Sequence, residues 1–199
     1  MMAGFQDILS HLSAGGGILW PLALVCFLMW AGIFERLLFF RRLLTRDLPP
    51  DTAVAMALDS TRSLPLGQGL SLRLIQDFRS RRSGICMLDR SILRECGLRI
   101  RRDLNRGIPQ IQVLAAVSPL FGLLGTVKGM IVTFDVMALA GTGDARGMAA
   151  GISEALVTTQ CGLMVAIPGI IMAMYLTRQA RRATFRLDRL YAMLERQLR

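Results

Sequence analysis

The chain has 199 residues, 53% of them hydrophobic, with a mean hydropathy of +0.46 and a net charge of +10. Its apolar residues come in blocks, and what remains is too short and too charged to cover those blocks in a soluble fold. The arginines have neither aromatic platforms nor a recognisable module between them, which argues against nucleic acid, and Cys26, Cys86, Cys96 and Cys161 lack any C-x-x-C or Cys/His spacing, so no disulfide or metal is implied.

In chain order, residues 1–17 come first. Phe5, Ile8, Leu9 and Leu12 follow i, i+3, i+4, i+7 spacing, which predicts a short amphipathic helix lying on the outer membrane interface. The segment has no basic n-region and no A-x-A site follows the next block, so a cleaved signal peptide is not expected. Gly15, Gly16 and Gly17 break the pattern. The first span is expected over 18–40 and is uncharged until Glu35, with Arg36, Arg41 and Arg42 placed to snorkel to headgroups. Residues 41–110 read as a helical domain: Pro49-Pro50 and Pro65 mark turns, and Leu70, Leu74, Ile75 and Phe78, then Ile85, Leu88, Ile92 and Leu93, fit a solvated helical hairpin. The second span is expected over 111–140, a loop over 141–152, the third span over 153–177 and a basic helix over 178–199. Residues 36–108 hold 15 arginines against 7 acids, and 178–199 hold 7 against 2. The positive-inside rule therefore places the amino terminus and the 141–152 loop outside, and both basic segments in the cytoplasm. The expected fold is an all-α integral membrane protein with three transmembrane helices extended into the cytoplasm.

Enzyme chemistry is missing. Gly122 to Lys128 lacks the Gly-Lys-Ser/Thr order of a phosphate loop, His11 stands alone and reads as a surface residue, and no nucleophile–base pair stands out. No cofactor is expected. The two later spans carry something else. Ala155, Thr159, Gly162, Ala166, Gly169 and Ala173 share one helical face, and Ser118, Gly122, Gly125/Thr126, Gly129 and Thr133 form a second stripe of small residues. In lipid, close backbone approach drives helix association, so these stripes are built to pack against each other or against copies of themselves. Lys128, the chain's only lysine, and Glu154 are ionisable groups in apolar surroundings, and such groups usually face a bundle interior or hydrated path. In a hairpin they fall about one turn apart. Lys128 then either neutralises Glu154 or snorkels outward.

The stretches SPLFGLLGTVKGMIVTF (118–134) and GISEALVTTQCGLMVAIPGII (151–171) resemble the MotA/TolQ/ExbB family of proton-channel motor subunits, most of all its ExbB branch. The resemblance implies a homopentamer in the bacterial inner membrane around the helices of an ExbD-like single-span protein. A TonB-like protein then carries the work to outer-membrane receptors. It implies that the second and third spans line a pore, that Thr126 and Thr159 are its hydroxyls, with Thr158 adjacent, and that Glu154 is the family glutamate. The small stripes would make room for the central helices. Lys128 departs from the family pattern, where an aromatic or small polar residue is more usual. The alternatives are a TolQ-like or gliding-type stator subunit of the same channel family, or a non-conducting scaffold whose polar residues only pack helices. Three unrepeated spans argue against a stand-alone transporter with inverted repeats.

Overall fold

The computed structural model describes residues 16–45, 49–58, 69–140 and 144–197, and they are almost wholly helical. A short 3-10 turn, Gly16–Ile18, leads into α1 (Leu19–Thr45), followed by α2 (Pro50–Leu58), α3 (Leu70–Arg81), α4 (Cys86–Asn105), α5 (Ile108–Ala140) and α6 (Ala145–Gln197). The expected amphipathic helix around Phe5 to Leu12, with His11, lies outside the described residues. Three helices, within Leu19–Leu43, Met87–Leu139 and Ala145–Gln197, are long and apolar enough to cross a membrane. Pro119 and Pro168 lie inside α5 and α6 without ending them; a proline removes one backbone donor, a loss that packed neighbours and hydroxyl side chains make tolerable in lipid.

The chain forms two compact units, one made of the chain up to Ile33 with Gln110–Ala173, the other of Phe34–Pro109 with Met174–Arg199. In the first, α5 and α6 run antiparallel and α1 lies against them. Met29, fully buried, rests on Gly169, and a Cβ added to Gly32 would stand 3.4 Å from Ile111 Cγ1. Here small residues admit larger ones.

The second unit is held by an ordinary apolar core. Leu70, Leu74, Ile75 and Phe78 of α3, Leu93, Cys96, Ile100 and Leu104 of α4, and Leu176, Ala180, Ala183, Leu187, Leu190 and Leu194 of α6 are buried. The α6 positions step by 4, 3, 4, 3, 4, which keeps one stripe inward as in a coiled coil. Polar ties flank it: Arg101 Nη2 donates to both carboxylate oxygens of Asp188 at 2.7 and 2.8 Å, and Arg90 meets Glu195 at 3.5 Å. Both pairs are largely exposed, so they set register more than stability.

Asp89 organises the turn between α3 and α4. Its Oδ1 accepts the Ser83 N–H at 2.8 Å and the Ser83 hydroxyl at 3.0 Å, and Arg82 lies 3.5 Å from Oδ2. Burial alone would raise its carboxyl pKa, but the Ser83 hydrogen bonds and the Arg82 charge outweigh it and hold the carboxyl below its ordinary value. Gly84, at φ +81°, supplies the left-handed residue that the turn requires.

One boundary differs from the sequence reading. Residues 145–152, expected as loop, are helical. Asp144 Oδ1 accepts the Gly147 N–H at 3.0 Å, an N-cap three residues upstream, and so starts α6 early.

Candidate functional site

The site grows from the contact between α5 and α6. Glycine there is required by space. A Cβ on Gly162 would stand 3.0 Å from Gly122 Cα and 3.0 Å from the Ser118 carbonyl oxygen, and one on Gly129 would stand 2.8 Å from Ala155 Cβ and 2.9 Å from the Gly151 carbonyl oxygen. Gly125 is covered by the Thr158 side chain, and Gly151 by Thr133. Gly122, Gly125, Gly129, Gly151, Ala155 and Gly162 are all buried in this seam, and Ala166, Gly169 and Ala173 continue the buried face of α6. Contacts this close let dispersion and weak Cα–H···O contacts hold two helices where lipid supplies no hydrophobic drive.

This corrects one expectation. The resemblance implies stripes that leave room for central helices, yet Gly122, Gly125 and Gly129 are filled by α6 of the same chain. Gly151 belongs to the seam as well and was missed; the signal was its place four residues before Ala155.

The seam residues fix where the polar groups go. Thr126 follows Gly125 and Thr159 follows Thr158. One residue turns a helix by about 100°, and in an antiparallel pair the two turns carry both hydroxyls to the same edge of the seam. Lys128 and Glu154 instead precede the seam residues Gly129 and Ala155, which puts them on the opposite edge. The structure therefore separates the candidate residues into a hydroxyl edge and a charged edge.

On the hydroxyl edge, Thr126 and Thr159 are half-buried. Thr126 Oγ1 donates to the Leu123 carbonyl at 2.7 Å. Thr159 Oγ1 reaches the Ala155 carbonyl of its own helix at 3.3 Å and the Gly122 carbonyl of the facing one at 3.5 Å. A hydroxyl can switch between such acceptors while its own lone pairs accept, which is what a water-mediated proton relay uses. Thr158 does not share this edge. It is 1% exposed, pressed on Gly125, with its hydroxyl donating to Ala155 O at 2.8 Å. Its expected place on an ion path is corrected to a place inside the seam, because the close approach at Gly125 leaves it no opening. Ser118 and Thr133 are buried likewise, each bonded to a carbonyl one turn back on its own helix, at 2.8 and 2.9 Å.

On the charged edge, Glu154 is half-buried and makes no hydrogen bond or ion pair with a described residue. Lys128 is exposed, and its Nζ lies 3.6 Å from where a Cβ on Gly17 would stand, at the entry to α1. Among the described residues no ion pair joins Lys128 to Glu154, although Gly129 and Ala155 set them at one level. The flexible stem of Lys128 goes to the end of α1 instead. Beyond both edges the helices present apolar side chains outward, among them Leu120, Leu123, Val127, Ile131 and Phe134 of α5 and Leu156, Leu163, Met164 and Ile167 of α6. Among the described residues no cluster of His, Cys, Asp or Glu has the arrangement of a metal centre.

Comparison with known proteins bears on the same stretch. Residues 81–189 match the sequence profile of the MotA/TolQ/ExbB proton channel family. A Synechocystis sp. protein called biopolymer transport protein ExbB-like 1 is 32% identical over 182 residues, 83% of this chain and 68% of that one. The biopolymer transport protein exbB1 of Vibrio cholerae is 36% identical over 89 residues, covering 44% of this chain and 39% of its own length. The biopolymer transport protein ExbB of Helicobacter pylori is 40% identical over 78 residues, 39% of this chain and 54% of that one.

Proposed function

This chain belongs to the MotA/TolQ/ExbB proton channel family, and from that premise we propose that it is an ExbB-like subunit of a motor driven by the proton-motive force. It works in the bacterial inner membrane with its amino terminus outside. Several copies, five by resemblance to the family, surround an ExbD-like single-span partner, and a TonB-like protein carries the work to transport across the outer membrane. The names of its relatives, which speak of biopolymer transport, support this reading.

The observation that carries it is the hydroxyl edge. Thr126 and Thr159 are the half-buried hydroxyls beside a seam too close for side chains, and they are the residues that the family motifs assign to the pore. They face the partner's proton-carrying carboxylate and hand protons along a water chain without holding a fixed charge. Sodium is disfavoured as the driving ion, since Thr158, the neighbouring hydroxyl that would complete a coordination pair, is turned into the seam. Lys128, set on the other edge, keeps its positive charge off the proton path, and Glu154 shares that edge.

The test is a double substitution. Thr126→Val with Thr159→Val keeps side-chain shape and removes both hydroxyls. The expected result is loss of proton-driven transport with a fall in proton flux of about a hundredfold, the low end for one removed proton-transfer group, while the oligomer still assembles. Wild-type flux in an assembled double variant would reduce the protein to a scaffold.

A further inference from the structure

Arg36 is the first arginine of the sequence and lies near the end of the first span. It is 8% exposed, and its Nη1 donates to the Asp103 carbonyl at 3.2 Å. Its Nε would stand 2.9 Å from a Cβ on Gly107, a residue at φ +76°, so the chain there is shaped around a guanidinium. The Arg36 Cζ lies 5.3 Å from the centroid of the Phe39 ring. The Cζ of Arg73, on α3, lies 5.5 Å from the same ring. Two cations thus share one aromatic ring. Such stacking is worth roughly 0.5–1 kcal/mol at exposed sites, and it does nothing to neutralise either charge.

Among the described residues no carboxylate serves as counter-ion to either group. The ion pairs among the described residues engage Arg81, Arg82, Arg90, Arg99 and Arg101. Neither Arg36 nor Arg73 has a carboxylate of a described residue within 4 Å. Of the described acids nearby, Glu35 and Asp103 are exposed, Asp103 offers its carbonyl rather than its carboxylate, and Asp77, four residues beyond Arg73, is engaged by Arg81 at 3.2 Å. Two guanidinium groups that share one ring with no described carboxylate at salt-bridge distance are open to an anion from elsewhere.

Position says from where. Phe39 lies one helical turn beyond Arg36, about 4.5 Å along the axis, and the headgroup layer on each side of a bilayer is about 5–7 Å deep. We propose that Arg36, Phe39 and Arg73 form a binding site for the phosphate of an anionic phospholipid. Arg73, exposed, closes over a phosphate whose floor is the buried Arg36, and both guanidinium groups lie beside the Phe39 ring. Arginine suits the task because its planar fork matches a phosphate bidentately.

The experiment uses the full chain in mixed micelles, titrated with dioleoyl phosphatidylglycerol or dioleoyl phosphatidylcholine, with lipid retention read by native mass spectrometry. Wild type is expected to retain the anionic lipid preferentially. Arg73→Gln, an exposed change that leaves the fold alone, is expected to weaken retention about fivefold, the loss of one cation–lipid contact. Arg94→Gln, an equal loss of charge on exposed α4, is expected to change nothing. The proposal fails if the two lipids bind alike, if Arg73→Gln retains lipid as wild type does, or if Arg94→Gln weakens it equally. It fails too if millimolar inorganic phosphate displaces the lipid, since the site would then serve a free anion.

Discussion

At the scale of single residues, the pair Gly125 and Thr158 tests the seam. Gly125→Ala forces a methyl into the Thr158 side chain, and overpacking of this kind costs about 1–3 kcal/mol. Thr158→Ala alone vacates the space and is mildly destabilising. The double variant is expected to recover about 1 kcal/mol relative to the sum of the two, because each change accommodates the other; unfolding in detergent measures all three, and strict additivity would contradict the contact. Cys96 gives a second prediction. Burial, with the Asp77 carboxylate hydrogen-bonded to the thiol, pushes its pKa up to about 11. Thiolate is the reactive form, so iodoacetamide at pH 8 should leave Cys96 unmodified in the folded protein and modify it after denaturation. At this scale the sequence was informative about seam residues, since helical spacing alone assigns residues to faces, but it set Thr158 beside Thr159 on the ion path, where the structure turns it into the seam. It was uninformative about Lys128. Which way a four-carbon stem turns depends on the approach of α1 at Gly17, a tertiary contact with no periodic signature.

At the scale of elements, Asp89 and the turn before α4 give the pH dependence. The folded-state pKa is lower than in the unfolded chain, so the contribution to stability is complete above the ordinary carboxylate range, near pH 4. It is lost as the pH falls through the depressed folded value. Asp89→Asn should cost about 1–2 kcal/mol at neutral pH, as lost charge-assisted hydrogen bonds do, and should flatten the stability profile on the acid side. Thermal melts of both proteins from pH 7 to pH 3 would show it; parallel profiles would contradict the assignment. Helix extents were legible from apolar block lengths, and the break before α5 from Gly107. The early start of α6 was not. Its cause is one carboxylate cap at Asp144 in a glycine-rich stretch, and glycine content reads as loop until the partner of each backbone N–H is known.

At the scale of the molecule, charge asymmetry makes the orientation testable. A cysteine placed at Ser91, on exposed α4, should be labelled by a membrane-impermeant maleimide only from the arginine-rich side. One placed at Ala145, at the start of α6, should be labelled only from the opposite side. Labelling of both from one face would contradict the positive-inside reading. The all-helical, three-span character was written in composition and block length. The inward stripe of α6 from Leu176 to Leu194 was overlooked because arginines crowd its outer faces and mask the 4, 3 stepping of the apolar residues.

The glycine contacts between α5 and α6 also limit how this protein can move. With Gly122 against Gly162 and Gly129 against Ala155 at near-contact separation, neither helix can slide or roll past the other without a collision of main chains. In the proposed motor, whatever travels must travel as a rigid pair. Shape change is then confined to the hairpin's borders with lipid, with α1 and, in the proposed assembly, with other subunits. Spectroscopic reporters intended to see that motion belong on Leu123, Val127 or Leu163, and any reporter placed in the seam would pry the pair apart.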